Sequence, residues 1–343
     1  MMSAATPAVP GAAVREPLGV VLLNLGGPDS LDAVEPFLRN LFADPDVIQF
    51  PLLLRWVQPL FARMVSRSRA PLARAAYEQI GGRSPIAEES RAQADAVAIE
   101  LGRRGLRVHG AVAMGCWHPF PDEALAELTR VGVRRAVVVP LFPQYSRTTT
   151  GSLNTALDRA NELAKAPLEL ARVDRYPAAP GYIDAVAERV RAAAATVPLE
   201  DRATVPVLFS AHGLPEVYIK RGDPYLDEIR TTVAAVAARL GLGQRARLCF
   251  QSKVGRKRWL EPSTETALDA IAKEGHRAVV VVPIAFTGEH IETLQEIDIV
   301  YKEHAERAGI TCFARARTVG THPAFVTALA DLVEAAARER GWI

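Results

Sequence analysis

The sequence predicts an α/β protein of two doubly wound domains, each a four-stranded parallel sheet flanked by helices, and three observations carry that expectation. Short apolar runs alternate with longer amphipathic stretches along the whole chain. The runs are rich in Val, Leu and Ile and show little polar alternation, as strands buried on both faces require. They fall into two sets of four, separated by Pro177, Pro180 and Gly181, where the chain is expected to cross from one domain to the other.

The first set of expected strands covers residues 19–25, 108–114, 136–142 and 168–175; the second covers 205–210, 246–250, 278–286 and 311–315. Between them lie helical stretches such as 86–103, whose alanines and Glu/Arg pairs favour helix. The boundaries that follow are a flexible N-terminal tail (1–16), a first domain (17–177) and a second domain (178–322). A last helix within 323–343 is expected to pack back on the first domain.

The chain has 343 residues, 49% apolar and 23% charged, longer than one hydrophobic core usually serves. A formal charge of +2, from 41 basic and 39 acidic residues, gives no basic face for nucleic acid. Cys116, Cys249 and Cys312 form no CxxC pair, which suits a reducing, cytoplasmic setting and supports neither a zinc site nor a disulfide framework. The first residues lack the charged and apolar regions of a signal peptide, and no apolar run is long enough to span a membrane.

Open parallel sheets bind ligands beyond the carboxyl ends of their strands, so chemistry is sought just after each run. The first half offers Asn24-Leu25-Gly26-Gly27-Pro28, Gly115-Cys116-Trp117-His118 and Pro143-Gln144-Tyr145-Ser146. The second offers Ser210-Ala211-His212-Gly213, Gln251-Ser252-Lys253 and Thr287-Gly288-Glu289-His290. A cleft between the domains, lined by these segments, is the expected active site.

The strongest local signal runs from Phe286 to Glu296. Thr287 is placed to cap a new helix, with Glu289 in its first turn. At about 100° per residue, Glu289, Glu292 and Glu296 fall on one stripe. One reading is a solvated acidic face. The other is a ladder of oxygen ligands that, with His290 and His212, collects a divalent cation. His212 should emerge at a strand tip beside Gly213, which permits close approach. A lone histidine there is either structural or a metal-holding, proton-accepting imidazole.

At these residues the sequence resembles the ferrochelatases. The matching motifs are Leu23-Asn24-Leu25-Gly26-Gly27-Pro28, Tyr77-Glu78-Gln79-Ile80-Gly81-Gly82-Arg83-Ser84-Pro85 and Pro143-Gln144-Tyr145-Ser146. In the second half they are Phe209-Ser210-Ala211-His212-Gly213-Leu214-Pro215, Arg221-Gly222-Asp223-Pro224-Tyr225, Gln251-Ser252-Lys253-Val254-Gly255, and Pro283-Ile284-Ala285-Phe286 through Glu292-Thr293-Leu294. Their number and order make the resemblance specific. It implies two Rossmann-like, chelatase-type domains with a porphyrin in the interdomain cleft. The implied activity is insertion of Fe²⁺, a substrate, into protoporphyrin IX or coproporphyrin III.

By position, the resemblance makes His212 and Glu292 the opposed catalytic and metal-handling pair, with His290, Glu289 and Glu296 behind the glutamate. Leu25, Arg69, Tyr77, Ser84, Tyr145 and Trp259 match positions that wall the porphyrin or meet its propionates. The chain departs from the pattern at Gly115-Cys116, where relatives often carry Arg-Tyr; Cys116 is then either a porphyrin-facing axial ligand or a buried thiol. Val300 replaces a carboxylate that often extends the acidic chain. Arg147 fills one cluster-ligand position and the chain ends without a cysteine-bearing tail, so no iron–sulfur cluster and no tightly bound cofactor are expected.

Residues 50–64 carry Leu53, Trp56, Leu60 and Met64 at helical spacing, flanked by Arg55, Arg63, Arg67 and Arg69, with Pro59 expected to kink or break the segment. It reads either as a core helix or, as the resemblance implies, as a lip at about 48–70 over the porphyrin slot that touches a membrane surface. A monomer is expected. Rival readings are a chelatase for another metal or tetrapyrrole and a non-catalytic porphyrin or haem carrier. A nucleotide-sugar transferase of similar architecture ranks below these, because neither half has a GxGxxG fingerprint.

Overall fold

A computed structural model describes residues 16–343 except Gln49, Pro51, Val254 and Arg256, and except the side chains of 52–54. The expected tail up to residue 15, the Leu53 side chain and Val254 therefore lie outside the described residues.

Strands β1 (Leu18–Asn24), β2 (Val108–Met114), β3 (Arg135–Pro140) and β4 (Glu169–Arg172) form one sheet in the order β2-β1-β3-β4, all parallel. Strands β5 (Val207–His212), β6 (Ala246–Gln251), β7 (Ala278–Pro283) and β8 (Cys312–Arg315) form the second in the order β6-β5-β7-β8, again all parallel. The two halves thus repeat one topology, and each has its switch in winding direction between its first and third strands. Every residue of β1 and β7 is buried, which is why these runs lack polar alternation.

Two strands are stopped by prolines inside their apolar runs. Pro140 closes β3 and Pro283 closes β7, each paired with a residue of the neighbouring strand. Proline has no N–H to continue a ladder, so 141–142 and 284–286 leave the sheet although they stay apolar. β5 instead runs further than expected, to His212, which pairs with Gln251 of β6.

Helices α1 (Val34–Ala43), α2 (Gln58–Gln79), α3 (Ile86–Arg103), α4 (Pro121–Arg130) and α5 (Ser152–Leu163) belong to the first half. Helices α6 (Pro180–Ala194), α7 (Glu216–Lys220), α8 (Tyr225–Leu240), α9 (Thr264–Lys273) and α10 (Lys302–Ala308) follow, before α11 (Pro323–Glu339) returns to pack on α3, β3, β4 and α6. A 3₁₀ turn, Leu52–Val57, feeds directly into α2, and Pro59 sits in the first turn of that helix. Pro59 therefore starts the helix rather than breaking it, because its missing N–H would be unpaired there anyway.

The halves share a core. Buried apolar side chains of both sheets form one continuous cluster through Tyr176, Tyr182 and Phe325. Tyr182 Oη donates to Ile284 O at 2.7 Å and Tyr176 Oη to Pro140 O at 2.7 Å, so both hydroxyls are satisfied where the rings are buried. Polar clamps cross nearer the strand ends. Thr287 Oγ1 donates to Leu141 O at 3.0 Å, and Gln93 Nε2 donates to Thr287 O at 2.9 Å and Gly320 O at 3.0 Å. Ser146 Oγ donates to Asp223 at 3.0 Å, and Tyr145 N to Glu228 Oε2 at 2.7 Å. These bonds hold the carboxyl ends of the two sheets against each other.

Candidate active site

His212 ends β5, beside the switch point of the second sheet. Its backbone is pinned by the β6 ladder and by Tyr225 Oη, which donates to His212 O at 2.9 Å. Gly213 is required next: a Cβ there would stand 2.9 Å from Gln251 O and 3.1 Å from the Trp259 ring. His212 Nδ1 lies 2.6 Å from Gly213 O, so Nδ1–H donates to that carbonyl. In the neutral ring that leaves Nε2 as a lone-pair acceptor, turned away from its own backbone.

Glu292 arrives from β7. Thr287 does not cap a helix: its hydroxyl donates to Leu141 O across the halves, and the helix begins only at Glu292. The chain instead turns through Gly288 and His290 and begins a π-helix, Glu292–Tyr301, where an ordinary α-helix from about residue 288 is expected. Glu292 Oε1 stands 3.5 Å from His212 Nε2, and Oε2 stands 2.5 Å from His290 Nε2. His290 Nδ1 in turn donates to Gly288 O at 3.1 Å. With both ring nitrogens donating, His290 is an imidazolium. Burial alone would disfavour that charge, but Glu292 outweighs it and raises the His290 pKa. Reciprocally, burial works to raise Glu292, and the His290 charge and hydrogen bond, with His212 beyond, hold it well below the usual carboxylate range.

Glu296 has the opposite setting. Its Oε2 accepts from Gln251 Nε2 at 3.0 Å and Ser252 Oγ at 2.6 Å. Burial, then the neighbouring Glu292 charge, raise its pKa despite those bonds. Two carboxyls one turn apart are thereby pushed in opposite directions, a pattern that separates anion from proton carrier. Gln251 Nε2 also donates to Glu292 O at 3.0 Å, tying the β6 end to the first turn of the π-helix.

The expected acidic ladder is shorter than the stripe suggested. Glu289 precedes the helix and turns inward, where both oxygens meet Arg315 Nη1 at 3.1 and 3.0 Å. Thr293 Oγ1 and Thr318 N donate to the same carboxylate at 2.7 and 3.1 Å. These partners outweigh burial and keep its pKa below the usual value. With both oxygens engaged, Glu289 presents no free edge to a cation. Among the described residues no three His, Cys, Asp or Glu side chains are grouped to hold a metal ion. His212 and Glu292 remain partly exposed at the strand ends.

The remaining expected site residues divide into two groups. Tyr77, at the end of α2, is buried, and burial followed by the Glu292 charge raises its pKa, which places it beside the pair. The Trp259 ring centroid lies 6.4 Å from that of His212. Leu25 and Tyr145 are half-buried at strand ends of the first sheet, with the Arg175 guanidinium 4.7 Å from the Tyr145 ring. Ser84 is buried, its oxygen accepting from Ile86 N at 3.4 Å at the start of α3. Arg69 is exposed on α2, 6.0 Å from the Phe42 ring.

Of the two readings of Cys116, the structure shows the buried thiol and not the wall residue. It is 1% exposed, and burial, with the Asp44 charge behind it, pushes the thiol up to about 12. An axial thiolate ligand needs the opposite environment. Gly115 has its space filled by Leu153, whose Cδ2 would stand 2.7 Å from an added Cβ. Tyr225, Gln251 and Ser252 support the site; Gln251 and Ser252 are expected in its lining and Tyr225 within a motif, none of them with an individual role. Their signal was present in Asp223-Pro224-Tyr225 and in Gln251-Ser252 at a strand end, but the hydrogen bonds that give them roles join distant segments.

The ferrochelatase family model matches residues 17–337. A ferrochelatase from Citrifermentans bemidjiense is 44% identical over 320 residues, covering 93% of this chain and 98% of that protein. One from Nostoc punctiforme is 42% identical over 319 residues, covering 92% and 81%. Among solved structures, SirB from Bacillus subtilis with Fe³⁺ superposes with a TM-score of 0.50 at 13% identity, covering 95% of this chain and 98% of that one, a likeness of fold. The chain belongs to the ferrochelatase family, lyases that insert ferrous iron into a porphyrin at the terminal step of haem biosynthesis.

Proposed function

We propose that this chain inserts Fe²⁺ into protoporphyrin IX or coproporphyrin III in the crevice at the strand ends, where His212 and Glu292, too close at 3.5 Å to admit the ring between them, meet it together, releasing two protons. The observation that carries the reading is the facing pair itself: His212 Nε2 and Glu292 Oε1 are 3.5 Å apart and set to different tasks. Glu292, held ionised by His290, supplies a hard anionic oxygen that draws the hydrated cation to the ring and loosens its water. His212, with Nε2 free to accept, takes the pyrrole protons one at a time and returns them to solvent. Clamping the macrocycle beside Trp259 and Tyr77 spends its remote binding energy on buckling the ring.

The carrier reading loses its support, because Cys116 is buried and protonated and offers no axial ligand. We further propose a monomeric, cytoplasmic enzyme without a resident cofactor. A cluster held by four thiolates needs more than the chain's three cysteines. No described helix is long and apolar enough to cross a membrane. Contact with a bilayer would instead use α2 and the turn before it, where Trp56, Leu60 and Met64 are 78%, 71% and 62% exposed. A core helix would bury these side chains.

Anaerobic metallation tests the function. Ferrous insertion into either porphyrin, followed by the change in the visible spectrum, is the expected result. Preference for cobalt, or tight haem binding with no metallation of either porphyrin, would replace it with one of the rival readings.

A further inference from the structure

The geometry assigns Arg315 a positioning role: it holds the segment bearing Glu292 from both sides and so sets the carboxylate's distance from His212. The inference rests on the reading of Glu292 given above. Arg315 closes β8, the neighbour of β7, and its side chain is 11% exposed. From there one guanidinium reaches two carboxylates of the same segment. Nη1 meets both oxygens of Glu289, and Nε meets Asp298 Oδ1 at 2.5 Å. Glu289 lies just before the π-helix and Asp298 well inside it, with Glu292 between them.

The π-helix makes such a grip necessary. Hydrogen bonds that skip one residue more than in an α-helix are rare and persist where surrounding structure imposes them. Return to α winding would tighten the turn at every residue, and Glu296 would rotate away from Ser252 and Gln251. Two holds on this helix are visible: Gln251 and Ser252 on one side, Arg315 on the other. Glu289 relays the second. Its carboxylate accepts from Thr293 Oγ1, and that oxygen accepts from His290 N at 3.1 Å. Arg315 therefore fixes His290, whose Nε2 meets Glu292 Oε2 at 2.5 Å, along with the helix itself. A lysine reaches one carboxylate at a time and cannot reproduce the fork.

The test uses Arg315→Lys, Asp298→Ala and Glu292→Gln, alone and combined, in the full chain, reading kcat, porphyrin KM and thermal unfolding. Asp298→Ala is the control for folding, because it removes only the mid-helix acceptor and leaves the buried Glu289 paired with Arg315. Arg315→Lys and Asp298→Ala should each lower kcat about ten- to a hundredfold, the scale of an ångström's misplacement, with porphyrin KM within about twofold. In the Glu292→Gln background, Arg315→Lys should add little, since it acts through the residue already removed. Normal turnover in Glu292→Gln alone overturns the site reading itself. A loss in Arg315→Lys that persists in full in the Glu292→Gln background, or that is matched by a rise in porphyrin KM, overturns the positioning role alone.

Discussion

His212 and Glu292 face each other at 3.5 Å from the ends of adjacent strands, one on the last residue of β5 and one in the first helical turn after β7. That adjacency places them at the switch point of the second sheet, where helices on opposite faces leave a crevice. The glutamate shares its carboxylate between two histidines, His290 Nε2 meeting Oε2 at 2.5 Å and His212 Nε2 standing 3.5 Å from Oε1.

Replacing either member should remove turnover and spare binding. His212→Ala and Glu292→Gln are expected to lower kcat about a hundredfold or more, the usual range for a positioned acid–base group. Porphyrin affinity, followed by fluorescence, should change little, because the walls of the slot are untouched. Both side chains are partly exposed, so circular dichroism should show an intact fold. Near-normal turnover in either variant would remove it from the mechanism.

The thiols give an independent check on the porphyrin wall. Burial pushes both Cys116 and Cys249 up to about 12, so neither forms appreciable thiolate at mildly alkaline pH. Labelling of the native protein with a thiol reagent should leave Cys116 and Cys249 silent, and all three cysteines should react after denaturation. Rapid native labelling of Cys116 that porphyrin blocks would return it to the slot.

The exposed ridge on α2 predicts surface binding that depends on side chains and not on fold. Trp56→Glu with Leu60→Glu should weaken binding to anionic phospholipid vesicles on the order of a hundredfold, from the apolar area each would bury. Melting temperature should hold, since both positions already face solvent. Vesicle flotation unaffected by the pair would confine the ridge to another role.

Much of this was legible in the chain because burial on both faces writes itself as unbroken apolar runs; β1, β2 and β7 begin within a residue of where those runs begin. Strand ends were less legible, since an apolar side chain stays buried after Pro140 or Pro283 has stopped the ladder. In the site, His212 and Glu292 could be read from their places after β5 and β7. The π-helix could not, because it differs from an α-helix in hydrogen-bond register while the residue spacing that marks Glu292 and Glu296 survives in both. Glu289 looked equivalent to them until Arg315, on another strand, claimed it.

Gly181 carries the last expectation. It sits in the first turn of α6, just after the crossover between the halves, and a Cβ there would stand 2.3 Å from Ala324 O of α11 and 3.0 Å from Ala328 Cβ. The first of these is backbone, which cannot swing aside as a side-chain tip could. Gly181→Ala must therefore push α6 away from α11, whose close approach places Tyr182 against Phe325 in the core shared by both sheets. Overpacking of this kind costs about 1–3 kcal/mol. Chemical denaturation should register that loss, even though alanine is the better helix former at an ordinary position. A Gly181→Ala protein as stable as the parent would show that α6 and α11 are free to separate, and that the halves are joined less tightly than this contact implies.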